Sequence, residues 1–214
     1  MNREEIQSMR RSYSERELAL PSDPILGFKD WLRDAAQLVS IVEPNAMVLS
    51  TLGSDGVISS RSVLLKDVNE DGFTFFTNYN SRKAHAIESN PQVTLLFPWY
   101  PMERQVIVIG SAKKISRQES EKYFLTRPRS SQIGAWASAQ SSTLSSRAEL
   151  ESKFKEFESK WPEPTQIPIP DNWGGFVVNP SSIEFWQGRY SRLHDRIQYV
   201  RDESNNWQRI RLNP

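Results

Sequence analysis

The sequence predicts a mainly β fold with peripheral helices, an α+β protein whose strands form a closed or nearly closed antiparallel barrel. Three observations predict it. Six or more strand-like runs follow one another with short turns and few helices between them, a pattern that favours antiparallel closure over a βαβ sheet. No G-x-G-x-x-G follows a strand and no G-x-x-x-x-G-K-[ST] occurs, so the glycine-rich nucleotide loops of parallel α/β folds are missing. Near the C-terminus, Phe176, Val178, Ile183 and Phe185 form strands that need an earlier sheet to bury them.

Composition narrows the class. A chain of 214 residues, 37% hydrophobic and 25% charged, can bury a sizeable core as one domain. The formal net charge of +1 argues against a general nucleic-acid or anionic-membrane surface, so any anion site must be local. No apolar run approaches the roughly 20 residues of a membrane span, and the N-terminal MNREEIQSMRRSYSERE lacks the apolar stretch of a secretion signal; a cytoplasmic protein is expected. The absence of cysteine excludes disulfides, thiolate metal sites and cysteine nucleophiles, and with two histidines, His85 and His194, no metal is expected. G-x-S-x-G is also missing.

In chain order, residues 4–14 form a polar helix with Arg10 and Arg11 in its last turn, where cations suit the dipole. Ser22 or Asp23 caps a firmer helix, with Pro24 near its first position and Phe28, Trp31, Leu32 and Ala35 as its apolar stripe. After Pro44, residues 46–78 read as three strands, with turns at Ser54-Asp55-Gly56 and at 69–72. A helix capped by Ser81 follows and closes at Asn90-Pro91. Strands are expected at 93–97 and at 104–115; residues 105–109, nearly all apolar, suggest a strand covered on both faces. A helix from about 118 ends at Pro128, a small polar loop precedes a helix capped by Ser145 or Ser146 with Leu150, Phe154 and Phe157 as its stripe, and the proline-rich 161–175 is irregular. A last hairpin pairs 196–201 with 207–212.

Three places carry chemistry. Arg82 and Lys83 occupy the first turn of the Ser81-capped helix, where cations oppose the dipole unless an anion lies between them and the free N–H groups. Tyr123 and Arg127, four apart on a helix, share a face to which Ser131 can return after the proline turn; phenol, guanidinium and hydroxyl together would make a small phosphate site, while the plainer reading is ordinary helix-surface residues. In IEFWQGRYSRLHDR, residues 183–196, a strand turns at Gly188. If the chain is extended again from Ser191, Arg192, His194 and Arg196 line one face beside Trp186. The plainer reading of that segment is a solvated edge hairpin.

From about residue 21 onward the chain resembles the pyridoxine (pyridoxamine) 5′-phosphate oxidases. The resemblance rests on RSVLLK, FFTNYNSRKAH, RQVIVIG, YFLTRPRSSQIGAWAS-Q-S and WQGRYSRLHDR, which occur in that order. It implies a split barrel of the FMN-binding type at 21–214, including a C-terminal substrate-binding hairpin, with 1–20 as a mobile N-terminal segment. It also implies a homodimer with FMN in a cleft between subunits, and oxidation of pyridoxamine or pyridoxine 5′-phosphate to pyridoxal 5′-phosphate by O₂, which gives H₂O₂. Transferred position by position, FMN would meet Arg61, Lys66, Phe76, Thr77, Ser81, Arg82, Lys83, Gln105, Gln140, Ser141, Trp186 and Arg196. The substrate would meet Arg10, Tyr13, Lys66, Tyr123, Arg127, Ser131, Arg192 and His194, with Arg192 and His194 beside the reacting carbon. Phe76 stands where tyrosine often occurs, which matters little if the backbone makes the contact. Arg61 and Lys66 are five apart and would face opposite ways on a regular strand, so a bulge or two different ligand groups must reconcile them. SERELAL lacks the arginine cluster of some members, so no regulatory pyridoxal-phosphate site is transferred. The competing reading is a non-catalytic split barrel that carries or senses FMN or pyridoxal phosphate.

Overall fold

The computed structural model describes residues 2–9, 12–13 and 18–214. Six helices and nine strands alternate in the described chain: α1 (Arg3–Ser8), α2 (Pro24–Gln37), β1 (Ala46–Leu52), β2 (Ile58–Leu64), β3 (Asp67–Asn69), β4 (Gly72–Asn78), α3 (Arg82–Ser89), β5 (Gln92–Trp99), β6 (Arg104–Lys114), α4 (Arg117–Thr126), α5 (Arg129–Ala137), α6 (Arg147–Lys160), β7 (Trp173–Gln187), β8 (Asp195–Arg201) and β9 (Trp207–Leu212). The strands hydrogen-bond in the order β2-β1-β5-β6-β7-β4-β3, and β8 pairs with both β7 and β9. The β3–β4, β4–β7, β7–β8 and β8–β9 ladders are all antiparallel. Two compact units result, one of Met1–Met47, Leu95–Ile109 and Pro180–Pro214, the other of Val48–Thr94 and Gly110–Asn179.

In the first unit, α2 begins as its sequence dictates: Asp23 accepts from the Ile25 N–H at 2.8 Å and Pro24 occupies the first turn. Phe28, Trp31 and Ala35 are buried; Phe28 lies 4.7 Å from Phe97 and Trp31 stands edge-on to Phe185 at 5.1 Å. The Tyr199 hydroxyl donates to the Pro21 carbonyl at 2.6 Å, and Leu18 is buried, so packing begins upstream of the expected boundary at residue 21. The first helix stops at Ser8, short of the expected 14. None of its residues is buried, and a capping box between Asn2 and Glu5 is its main local support. Arg10 and Arg11 lie outside the described residues. On β6, Val106 and Val108 are buried while Ile109 is 43% exposed, so the apolar run is covered on one face in this chain and not on both as expected.

In the second unit, the expected three-strand meander has four strands because the chain breaks at Leu65-Lys66. Leu65 turns inward, Lys66 outward, and the Lys66 N–H donates to the Thr74 carbonyl at 2.8 Å. Gly72 at φ 128° passes so close to β7 that a Cβ there would lie 2.0 Å from the Val178 carbonyl oxygen. Pro128 ends α4 as expected but immediately opens a further helix, α5, where a turn and loop were expected. Burial of Ile133 and Ala137 outweighs the weak helix propensity of its Ser/Gly-rich sequence, and the Gln132 amide caps α4 by donating to the Arg127 carbonyl at 2.8 Å. Ser146 caps α6, whose Phe154 and Phe157 pack on a cluster containing Phe124, Ile133, Trp161 and Trp173. The irregular proline-rich stretch cannot pair its carbonyls in a ladder. Arg117 donates to the Ile169 and Pro170 oxygens at 2.8 Å each, Trp136 Nε1 to Pro168 at 2.7 Å and Arg129 to Thr165 at 2.9 Å.

Candidate active site

The second unit contains a cavity of about 950 Å³ whose wall is built from β2, the 65–66 break, the end of β4, the start of α3, the α4–α5 corner and the loop at 138–141. Arg61, Lys66, Arg82, Lys83 and Arg127 all line it. The break after β2 is what lets Arg61 and Lys66 reach the same space despite their odd spacing. Among the described residues, no carboxylate forms an ion pair with any of these five cations. Such a concentration of unpaired positive charge is favourable only against an anion.

At one end, Lys83 Nζ donates to Gln140 Oε1 at 2.8 Å and Thr77 Oγ1 at 3.2 Å, and the Thr77 hydroxyl donates to the same Gln140 oxygen at 3.0 Å. Burial, and after it the charge of Arg61, pulls the Lys83 ammonium down to about 8. Arg61 is held by the Leu49 carbonyl at 3.0 Å, Thr51 Oγ1 at 2.9 Å and Ser59 Oγ at 2.5 Å, and burial followed by the charge of Arg82 lowers its pKa. Ser141, on the rim, adopts φ 73°, a left-handed conformation uncommon for serine. Ser81 does not line the cavity. It is fully buried, caps α3 through the Ala84 N–H and lies 3.5 Å below Lys83 Nζ.

At the other end, Tyr123, Arg127 and Ser131 face the same space from the α4–α5 corner. Among the described residues Arg127 Nη1 is buried without a hydrogen-bond partner, its guanidinium lies over Trp173 at 4.7 Å, and burial lowers its pKa. A buried N–H of this kind costs stability until a ligand satisfies it. Phe76 stacks on Tyr123 at 4.0 Å and on Trp173 at 5.3 Å, forming a flat aromatic stretch of the cavity wall. Gly175 makes room for it, since a Cβ there would meet Phe76 Cε1 at 2.9 Å.

The first unit holds a separate group. Tyr13 stands edge-on to Trp186 at 5.8 Å and to His194 at 5.4 Å, and Trp186 and His194 are 4.7 Å apart. The expected extended row of Arg192, His194 and Arg196 does not form. Residues Tyr190–Arg192 make a tight 3₁₀ turn with Ser191 at φ 55° and Arg192 at φ 61°, and β8 starts only at Asp195. The strands on either side are registered by Gln187 against Asp195, so the intervening residues must fold into a compact turn. Arg196 pairs with Glu184 through two bonds of 2.8 and 3.0 Å, which raises its pKa; burial and the charge of Arg192 lower that of His194. Gln105 is half-buried on β6.

Comparison with known proteins decides the family. A family model described as pyridoxamine 5′-phosphate oxidase matches residues 33–161, and one described as the pyridoxine 5′-phosphate oxidase C-terminal dimerisation region matches residues 173–214. The chain belongs to the pyridoxamine 5′-phosphate oxidase family. A pyridoxine/pyridoxamine 5′-phosphate oxidase of Streptomyces avermitilis is 51% identical over 92% of this chain and 90% of its own length, and one of Rippkaea orientalis is 49% identical over 98% and 100%. Among solved structures, PhzG of Burkholderia lata, in complex with tetrahydrophenazine-1-carboxylic acid, superposes with a TM-score of 0.84 at 31% identity, covering 91% of this chain and 94% of that one. An FMN-binding protein of Nostoc punctiforme superposes with a TM-score of 0.72 at 18% identity, over 93% of this chain and all of that one. The fold is the antiparallel split barrel of this oxidase family.

Most residues expected from the family motifs in the second unit meet in the one cavity. Sequence reasoning passed over Trp173, which lies beneath Arg127, and the Gly174-Gly175 pair that accommodates Tyr79 and Phe76. The signal was present as W-G-G, which reads as the end of the irregular proline-rich stretch 161–175; that stretch ends at 172 instead, because Trp173, Gly174 and Gly175 open β7 and pair with β4. No described helix is long and apolar enough to cross a membrane.

Proposed function

We propose that this chain catalyses the FMN-dependent oxidation of pyridoxamine and pyridoxine 5′-phosphates to pyridoxal 5′-phosphate. For the amine, substrate, O₂ and water give aldehyde, ammonia and H₂O₂; for the alcohol, substrate and O₂ give aldehyde and H₂O₂. The observation that carries this reading is one cavity lined by five cations that no described carboxylate pairs, with Arg61 close to both Arg82 and Lys83 and with Arg127 Nη1 unsatisfied. Two phosphates, one on cofactor and one on substrate, account for that number of cations.

Arg61, Arg82 and Lys83, with Thr77, Gln140 and Ser141, would hold the FMN phosphate and its polar chain. Lys66, Tyr123, Arg127 and Ser131 would hold the phosphate of the substrate. Bound FMN supplies the acceptor for the hydride equivalent leaving C4′. The protein's contribution is placement: two anchored phosphates restrict how the two rings can meet. Ser81 supports this site from beneath as the cap of α3. We propose further that the active unit is a homodimer and that Gln105, Trp186, Arg192, His194 and Arg196 complete the site in it.

The test is anaerobic. Protein reconstituted with FMN is mixed with pyridoxamine 5′-phosphate and the visible flavin absorbance is followed. Bleaching, with aldehyde formed, is expected. A flavin that binds and stays oxidised would replace the oxidase with a carrier of FMN or pyridoxal phosphate.

A further inference from the structure

His194 is held by a contact that selects its tautomer. The Arg189 main-chain N–H donates to His194 Nδ1 at 3.1 Å, so that nitrogen acts as an acceptor and the ring proton sits on Nε2. The donor is itself fixed. Arg189 Nη1 pairs with Asp195 Oδ2 at 2.9 Å, and the other oxygen of this mostly buried carboxylate takes Arg211 from β9 at 2.5 Å. Asp195 is registered opposite Gln187 at the end of β7, so one carboxylate ties the start of the turn to its end. Trp186 at 4.7 Å and the edge of Tyr13 at 5.4 Å restrain the plane of the imidazole. A proton on Nδ1 would face the Arg189 N–H and destroy the bond.

We infer that Arg189, tethered by Asp195, is a positioning residue that presents His194 as a neutral Nε2–H donor, so that His194 gives a hydrogen bond to an acceptor atom of the substrate instead of taking its proton. This rests on the reading that His194 faces the substrate. Burial and the charge of Arg192 act in the same direction, since both disfavour an imidazolium.

The two histidines make a direct measurement possible, because His85→Gln leaves His194 as the single histidine signal. The FMN-loaded enzyme is labelled with ¹⁵N-histidine and long-range proton–nitrogen correlations are recorded at neutral pH. A protonated-type Nε2 and an unprotonated-type Nδ1 are expected. Arg189→Ala and Asp195→Asn should each shift the pair toward averaged values and lower kcat about five- to tenfold with little change in KM, and Arg189→Lys should restore most of both. An Nδ1–H or imidazolium signal in the otherwise unaltered enzyme would overturn the proposal even if neither variant folds. An unchanged tautomer in folded Arg189→Ala would overturn the role of Arg189. If instead His194→Gln keeps full kcat, the placement of His194 at the substrate fails, whatever its tautomer.

Discussion

With Lys83 against the FMN phosphate, as proposed, the cofactor site has a pH dependence that can be worked out beforehand. Its ammonium is buried beside Arg61 and sits at about 8 in the ligand-free protein. A phosphate dianion favours the charged form, so binding must raise that value, and FMN must bind the protonated protein more tightly. Affinity is therefore near its full value around pH 7, where the phosphate is still a dianion, and falls as pH rises through about 8. The protonated fraction drops from roughly nine tenths at pH 7 to roughly one tenth at pH 9, a loss of about tenfold in affinity. FMN titrations followed by quenching of flavin fluorescence, at steps from about pH 7 to about pH 9.5, measure this directly. Lys83→Met should bind about 10- to 150-fold more weakly at pH 7, the worth of one charge-assisted bond, and its affinity should no longer change with pH. Arg82→Met should also bind weakly but keep the slope, which separates loss of a ligand from loss of the titrating group. A flat profile in the unaltered protein, or the same slope in Lys83→Met, would refute the placement of Lys83 against the phosphate.

Four other outcomes follow from the same geometry. Arg127→Met removes a buried N–H that has no partner, so urea denaturation of the ligand-free protein should show stability unchanged within about 1 kcal/mol or raised, while KM for pyridoxamine 5′-phosphate rises about 10- to 100-fold; a large loss of stability would mean that Arg127 is structural. Arg192→Met should keep FMN and fold but lower kcat/KM by about 10² or more, roughly 2.7 kcal/mol of transition-state stabilisation, and wild-type flavin reduction in anaerobic stopped flow would make Arg192 a bystander. Gly175→Ala places a Cβ 2.6 Å from Ile115 Cδ1 and 2.9 Å from Phe76 Cε1, and should cost about 1 to 3 kcal/mol in denaturant midpoint experiments; a variant as stable as the parent would show that the wall yields freely. If the homodimer completes the site, dilution should release FMN, and sedimentation of a flavin-loaded, active monomer would remove that claim.

The elements most legible in the sequence are those governed by local chemistry. Asp23 and Pro24 start α2, Ser81 starts α3, Ser146 starts α6, and the turn before Trp207 closes the last hairpin, because each is decided by a few neighbouring residues. What was not legible depends on partners distant in the chain. The α5 helix has a poor helical sequence and forms around Ile133 and Ala137, whose burial only tertiary packing reveals. The break at Leu65-Lys66 is fixed by the bond from Lys66 to Thr74, which nothing within RSVLLK announces.

The site divides in the same way. Arg82 and Lys83 were conspicuous because cations at a helix N-terminus are unfavourable by themselves, and that conflict is local. Tyr123, Arg127 and Ser131 showed only as a spacing; their joint exposure to one cavity depends on Pro128 ending one helix and opening another in a single step. The RLHDR segment misled for the opposite reason. Period-two alternation assumes an extended backbone, but the register of β7 on β8 fixes Gln187 opposite Asp195 and leaves seven residues to close the turn, two of them at positive φ. That closure removes the row of Arg192, His194 and Arg196 and replaces it with different partners: Arg196 pairs with Glu184, while His194 is turned onto the Arg189 N–H beside Trp186. The same five letters therefore specify a hydrogen-bonded imidazole with one proton-bearing nitrogen left to offer, a distinction that strand periodicity could not carry.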